Sequence, residues 1–290
     1  MNAQDERRGK IIFSDSIREN VQESLSLLPW HILIHMRLLL RLRSKNYQKD
    51  VSLEYHKIQG FVYTLLFESG FPLLHDKKGY KPFCFSNIFP YGDMKQGDIR
   101  HFIIASPSDA IIEKIADRLH EWKDKPVHIG DCAFDLVTWT TIETSLPIGL
   151  VSISTATPIL LRIPEYNYDL YAVPDDERRS RYVYWRPQIS FEAFIKQLSE
   201  NLIKKYNQSY GTTIGTVPLF QEFLFRKTVH TRYIIEGKSY GAAGSMWEFS
   251  WSHMDDAQRR IIEFGIDAGF GERNSMGFGF VNIRKDRDTM

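Results

Sequence analysis

Hydrophobic residues occupy every second position between residues 31 and 43, while the positions between them are polar except for Leu33 and Leu39. The hydrophobic set comprises Ile32, Ile34, Met36, Leu38, Leu40 and Leu42. Because successive side chains of a strand point to opposite faces, this pattern predicts a long strand with one buried face. The other face is largely basic, with Arg37, Arg41 and Arg43. It is interpreted either as a solvated surface or as a surface that contacts a polyanion.

From this strand onward, the same order of predicted strands and helices occurs twice, and each occurrence is called a pass. In the first pass the pattern predicts helices over 52–67 and 106–122 and strands over 83–85, 99–105 and 127–142. In the second it predicts helices over 191–206 and from Asp256, and strands over 150–163, 182–185, 219–235, 245–251 and at Phe278. Each pass has the order strand, helix, two strands, helix, strand. The sequence therefore predicts an α+β fold of two tandem ferredoxin-like (βαββαβ) domains.

The predicted boundaries divide the chain into three parts. Residues 1–30 are expected to form an N-terminal helical extension, because Ile17, Val21, Leu25 and Leu28 have helical spacing before Pro29. The first ferredoxin-like domain is expected over 31–148 and the second over 149–290.

Composition favours an ordinary globular protein of the cytoplasm. The 290 residues have 43% hydrophobic and 25% charged positions, and the formal net charge of +1 gives no global basic field. Cys84 and Cys132 lack the spacing of zinc or redox motifs and are expected to be buried thiols. No signal peptide or membrane span is predicted.

A glycine-rich motif, GFGERNSMGFGF, occupies 269–280. Glycine lets a second backbone approach closely, and the guanidinium of Arg273 suits phosphate. The motif is interpreted either as a loop that lies against an anion or as a glycine-rich hairpin without a ligand. A nucleotide-binding fingerprint is disfavoured, because the predicted order is helix, loop, strand, and Asn274 stands where a third glycine is required.

His56 is the candidate for proton transfer. It falls in the first turn of the helix that follows the basic strand, where unpaired backbone N–H groups favour phosphate. A histidine exchanges protons near neutral pH, as RNA cleavage by the ribose 2′-OH requires. The alternative is a histidine that only flanks a core helix. Metalloprotease, two-metal and nucleophile-elbow motifs are absent from the sequence, and no metal or cofactor is predicted.

Four stretches together resemble the CRISPR RNA-processing endoribonucleases of the Cas6 family, within the RAMP superfamily. Residues 269–279 are similar to that family's C-terminal glycine-rich loop, and 81–87 (KPFCFSN) to its Lys-x-Phe-x-Phe-Ser strand. Residues 55–63 resemble its first helix, where many members have the active histidine, and 154–159 resemble the strand that opens its second domain. Their order and spacing agree with the family from about residue 31 to residue 284.

The resemblance implies a metal-independent endoribonuclease that cuts CRISPR repeat RNA in precursor transcripts and releases guide RNAs. The products would carry 2′,3′-cyclic phosphate and 5′-OH ends. His56 would act as general base or acid, with Tyr47 and Lys49 as its candidate partners. The residues expected to contact RNA are Arg37, Arg41, Arg232, Lys238, Gly271, Arg273, Asn274, Ser275 and Gly277.

Two rival functions stay open at this point. One is a non-cleaving RNA-binding subunit of a CRISPR effector complex, against which the presence of His56 argues. The other is an unrelated ferredoxin-like RNA-binding module, against which the absence of an RRM strand signature argues. Other effector subunits and a second copy of the chain are candidate further partners, the sequence leaving both open, whereas no membrane partner is expected.

Overall fold

The computed structural model describes residues 35–51, 55–123, 125–178, 181–235 and 237–284. The predicted N-terminal helix and the Ser52 cap of the first predicted helix lie outside these ranges. The described residues belong to one compact unit, and its two halves are called the first half (35–144) and the second half (151–283).

The strands and helices confirm most of the predicted elements. The first half contains β1 (His35–Ser44), β2 (Gln48–Val51), α1 (Tyr55–Glu68), α2 (Leu73–Asp76), β3 (Cys84–Phe85), β4 (Gly92–Met94), β5 (Ile99–Ala105), α3 (Asp109–Leu119), β6 (Pro126–Ile129) and β7 (Cys132–Thr144). The second half contains β8 (Val151–Thr155), β9 (Ile159–Leu160), β10 (Arg162–Pro164), β11 (Tyr182–Tyr184), α4 (Phe191–Tyr210), β12 (Glu222–Ile235), β13 (Lys238–Trp251), α5 (Asp256–Ala268) and β14 (Val281–Ile283).

The two halves share one sheet topology. The first sheet has the order β3-β5-β1-β7-β6, and the second has β12-β13-β8-β14 with β9 beside β13. All the pairs are antiparallel. In both sheets the first strand of the βαββαβ unit lies between the third and the fourth, with the second strand outside the third. The predicted tandem ferredoxin-like fold is therefore confirmed.

Each half has its own hydrophobic core between its sheet and its two long helices. Leu38, Leu40 and Leu42 are fully buried in the first core, as the alternation along β1 predicts. The second core is aromatic, and the ring of Trp247 stacks on that of Phe194 with a centroid distance of 4.1 Å. Burial of these apolar faces is what brings the helices of each half onto its sheet.

Helix ends in the second half follow local capping rules. Asp255 and Gln258 form a reciprocal capping box at the start of α5. Ser190 caps α4 by accepting a hydrogen bond from the backbone of Glu192, and Gly211 ends α4 in a left-handed conformation. These caps fix where the chain enters and leaves the helices that flank the glycine-rich motif.

A buried arginine joins the two halves, and it corrects one prediction. Arg37 of β1 is 4% exposed. Its Nε lies 2.8 Å from Oδ1 of Asp267, its other nitrogens donate to the carbonyl oxygens of Ile266 and Val281, and its guanidinium lies over the ring of Phe280. The predicted RNA contact by Arg37 is therefore wrong, because its donors are committed inside the protein.

Candidate functional site

A cleft of about 1570 Å³ lies between α1 of the first half and α4 of the second half. The stretch 271–276 of the glycine-rich motif also lines it, together with β10 and the start of β11. The structure thereby brings His56, Gly271, Arg273, Asn274 and Ser275 to one cleft, although about 215 residues separate the histidine from the motif.

The glycines of the motif allow close internal packing. Gly271, Gly277 and Gly279 all have positive φ, between 71° and 91°. A Cβ at Gly271 would lie 2.6 Å from the carbonyl oxygen of Leu160, and one at Gly277 would lie 2.6 Å from the ring of Phe85. Gly271 still lines the cleft. Gly277 is buried against aromatic rings of the protein, so the predicted contact between Gly277 and RNA is wrong.

A buried lysine of α4 holds the motif in place. Lys205 Nζ donates to the carbonyl oxygens of Gly269 and Gly271 and to Oδ1 of Asn274. The Asn274 amide nitrogen in turn donates to the carbonyl oxygens of Phe270 and Phe278. Asn274 is 5% exposed. It therefore braces the loop from within, and because it also lines the cleft its contact with RNA stays a prediction.

Arg273 and Ser275 are two half-buried polar residues of the motif that line the cleft. Arg273 has a left-handed backbone, and its guanidinium lies 4.2 Å from the centroid of the Tyr233 ring. The Tyr233 hydroxyl lies 2.8 Å from that of Tyr184. Stacking on an aromatic ring leaves the edge of a guanidinium able to donate to phosphate.

His56 lies beside the motif at the N-terminus of α1. It is the second residue of the helix, is half-buried and lines the cleft. The preceding Tyr55 packs on Phe278 of the motif with a ring-centroid distance of 4.6 Å, and the 3-10 turn Asn274–Met276 contacts α1. The N-terminus of a helix, a histidine and an arginine thus all line the same cleft.

The cleft is basic although the chain as a whole is nearly neutral. Its basic residues are Lys81, Arg162, Arg181, Lys204, Lys205 and Arg273, and its acidic residues are Glu68 and Glu272. Glu272 is hydrogen-bonded to Arg162 through both the side chain and the backbone nitrogen. The positive charge is therefore concentrated where an anionic chain would lie.

Several residues predicted for the site lie elsewhere. Tyr47 is 59% exposed and is not among the residues that line the cleft, and the side chain of Lys49 lies outside the described part. Arg41, Arg232 and Lys238 are exposed outside the cleft. Of these, Arg232 shares a face of β12 with Ile234, which lines the cleft.

Sequence reasoning missed three lysines of the site. Lys205 lies seven residues after Leu198 and three after Leu202, on the buried stripe of α4. This helical spacing could have indicated a buried lysine. Lys204 precedes it and lines the cleft. Lys81 stands at the start of the KPFCFSN stretch, whose pattern by itself predicts only a short strand.

Two negative findings apply to the described residues. In that part of the chain, no group of three or more His, Cys, Asp and Glu side chains is arranged to hold a metal ion. None of the helices described is long and apolar enough to cross a membrane.

Comparisons with known proteins agree with the fold and the motif. Residues 147–283 match the family model described as CRISPR associated protein Cas6, C-terminal. The chain is 28% identical over 256 residues to the CRISPR-associated endoribonuclease Cas6 of Haloferax mediterranei, covering 86% of this chain and 93% of the relative. It is 27% identical over 259 residues to the CRISPR-associated endoribonuclease Cas6 2 of Methanocaldococcus jannaschii, covering 85% and 99%.

A solved structure described as CRISPR associated protein Cas6 has the same fold. It superposes with a TM-score of 0.63 at 22% identity, over 86% of this chain and 99% of that chain. The family model, the curated relatives and this likeness cover both halves and the glycine-rich motif. The second half of the chain therefore matches a Cas6 C-terminal domain, and most of the chain is similar to curated Cas6 endoribonucleases.

Proposed function

We propose that the protein is an endoribonuclease that cleaves CRISPR repeat RNA in precursor transcripts and so releases guide RNAs. The observation that carries this proposal is the meeting of His56 with the Arg273 loop at one end of a basic cleft. The curated relatives, which align over nearly their whole length, are named endoribonucleases.

In the proposed reaction the scissile phosphate lies between the N-terminal turn of α1 and the 271–276 loop. The ribose 2′-OH loses its proton to a base and attacks phosphorus, so a P–O2′ bond forms and the P–O5′ bond breaks. The leaving 5′ oxygen takes up a proton from an acid. The products are a 2′,3′-cyclic phosphate and a 5′-OH, and no metal ion takes part.

His56 acts in this scheme as the base or the acid, because it is the histidine at the loop end of the cleft. Arg273 supplies positive charge toward the phosphate oxygens. Lys49 stays a candidate for the second proton-transfer group, since it precedes α1 in the chain. Tyr47 is a weaker candidate, because it is exposed and does not line the cleft.

The test is a cleavage assay on a labelled repeat RNA with EDTA present. His56→Ala is expected to lower the rate by roughly two to four orders of magnitude and to leave RNA affinity nearly unchanged. His253→Ala is the matched control, because His253 is exposed and does not line the cleft. Deoxyribose at the cut-site nucleotide removes the attacking hydroxyl and should abolish cleavage.

The outcomes separate the proposal from its rival. Cleavage by wild type that persists in His56→Ala would remove His56 from the mechanism. Cleavage that stops with EDTA and returns with a divalent cation would contradict the metal-independent scheme. Tight binding of repeat RNA by wild type without any cleavage would favour a non-cleaving RNA-binding subunit.

A further inference from the structure

Gly60 is an exposed glycine in the middle of α1 that nothing inside the protein explains. Its backbone is helical, and a Cβ built on it would meet no atom within 4 Å. The glycines of the 271–279 loop differ, since their positive φ values and close neighbours require them. A glycine inside a helix destabilises it relative to alanine. Gly60 also lines the cleft, so it leaves α1 one methyl group thinner on that side.

The same turn of α1 is weakened a second time. The Thr64 hydroxyl donates to the Gly60 carbonyl oxygen at 3.1 Å, a bond that competes with the helical ladder. Thr64 also lines the cleft. The sequence of this turn therefore leaves the helix surface bare at the cost of some helix stability.

A fixed ammonium group lies one helical turn farther along. Lys81 Nζ donates to the hydroxyl of Tyr63 at 2.7 Å and to the carbonyl oxygen of His75 at 2.6 Å. An ammonium has three N–H donors, so one N–H remains after these two bonds. Lys81, Tyr63 and His75 all line the cleft. Their bonds hold the charge in one place, which lowers the entropy lost when an anion binds.

Gly60 and Tyr63, the residue that binds Lys81, lie in line with His56 along α1. His56, Gly60 and Tyr63 are spaced four and three residues apart, so they share one face of α1. Seven residues separate His56 from Tyr63, which is about 10 Å along the helix axis. An RNA strand whose scissile phosphate lies at His56 would therefore reach Lys81 within a few nucleotides.

We propose that the part of the cleft between Gly60 and Lys81 is a subsite for the sugar–phosphate backbone of the RNA. The backbone packs directly on α1 at Gly60, and a phosphate near the cleaved bond accepts a hydrogen bond from Lys81. This subsite rests on the proposed function, since it is positioned by cleavage at His56.

The first experiment measures stability and cleavage on the same variant. Gly60→Ala is expected to raise the melting temperature of the free protein by about 1–3 °C, because alanine favours the helix. Its methyl group would occupy the space of the RNA backbone and lower kcat/KM for repeat RNA by about tenfold. A Gly60→Ala variant that cleaves as well as wild type would overturn the close approach at this residue.

The second experiment removes the phosphate contact. Lys81→Met is expected to weaken RNA binding by about tenfold and to reduce the salt dependence of binding by about one counterion. Lys78→Met is the matched control, because Lys78 is exposed and does not line the cleft.

The two proposals fail in different ways. If wild type does not cleave repeat RNA, the proposed function is wrong, and the subsite falls with it. If wild type cleaves while Lys81→Met binds and cleaves the full repeat as Lys78→Met does, the endoribonuclease stands and the subsite is wrong.

Discussion

At the scale of single residues, Arg273 has a conformation that is unusual for its type. Its φ of 57° lies in the left-handed region, which a residue with a Cβ enters at a cost. The stack of its guanidinium on Tyr233, 4.2 Å from the ring centroid, offsets part of that cost. The result is an arginine held at the cleft by its backbone and by an aromatic ring.

We expect Arg273→Ala to weaken the binding of repeat RNA by roughly tenfold and to lower the salt slope of binding by about one counterion. The reason is the loss of one preorganised charge at the loop end of the cleft. Binding titrations at several salt concentrations measure both effects. Arg226→Ala is the control, because Arg226 pairs with Glu248 away from the cleft. Equal salt slopes for the two variants would contradict an RNA contact by Arg273.

At the scale of elements, α4 and the glycine-rich motif are coupled by one buried ammonium. Burial lowers the pKa of Lys205 to about 7, from 10.5 when exposed, and the charge of Glu272 partly opposes this shift. The three oxygen acceptors of its Nζ belong to the motif and are buried with it. Substitution of this lysine would therefore leave several buried acceptors without a donor.

Lys205→Met is expected to lower the free energy of unfolding by about 1–3 kcal/mol, because carbonyl oxygens of the motif stay buried without a partner. The pH dependence supplies an independent test. Between pH 7 and pH 10.5 the unfolded chain binds more protons at Lys205 than the folded protein does. The stability of wild type should therefore rise with pH in this window relative to Lys205→Met, by at most about 1.4 kcal/mol per pH unit.

Urea denaturation at pH 7, 8 and 9 measures this difference. Lys204→Met is the control for stability, because Lys204 is the exposed neighbour on the same helix. A parallel pH dependence of wild type and Lys205→Met would show that the lysine keeps its ordinary pKa in the folded protein.

At the scale of the whole molecule, the cleft depends on how the two halves meet. Arg37 from β1 reaches Asp267 on α5, and the Cys84 thiol of β3 donates to the backbone carbonyl oxygen of Asp267. Asp267 is 1% exposed. Its buried carboxylate is therefore stabilised by the guanidinium of Arg37 from the first half. The ion pair joins β1 of the first half to α5 of the second half.

We expect Arg37→Met to lower the free energy of unfolding by about 3–5 kcal/mol, because it leaves the Asp267 carboxylate buried without its cation. The double variant with Asp267→Leu should recover much of the loss, since both charges are then removed. Urea denaturation measures each variant. Arg41→Met, on the exposed part of the same strand face, should change stability by less than about 0.5 kcal/mol. Equal stability of Arg37→Met and Arg41→Met would show that the pair does not hold the halves together.

The extent of sequence-based prediction differs between the fold and the site. The period of two along β1 and the helical stripes of α1, α4 and α5 are local consequences of burial, so the sequence shows them directly. His56 and the loop can be assigned to one site only through the family resemblance, because their meeting depends on packing between distant segments. Tyr47 is near His56 in sequence, yet the structure places it outside the cleft.

The sequence by itself determined the elements, their order and the two ferredoxin-like repeats, because periodicity, caps and glycines act over a few residues. The tertiary structure decided which polar residues face the cleft. Arg37 and Arg41 are equivalent in the strand pattern, yet only Arg37 meets a carboxylate 230 residues away. Asn274 and Ser275 are neighbours, yet it is Asn274 that accepts a hydrogen bond from the buried Lys205 ammonium. Such pairings depend on how distant segments of the chain pack against each other, so the local sequence pattern does not predict them.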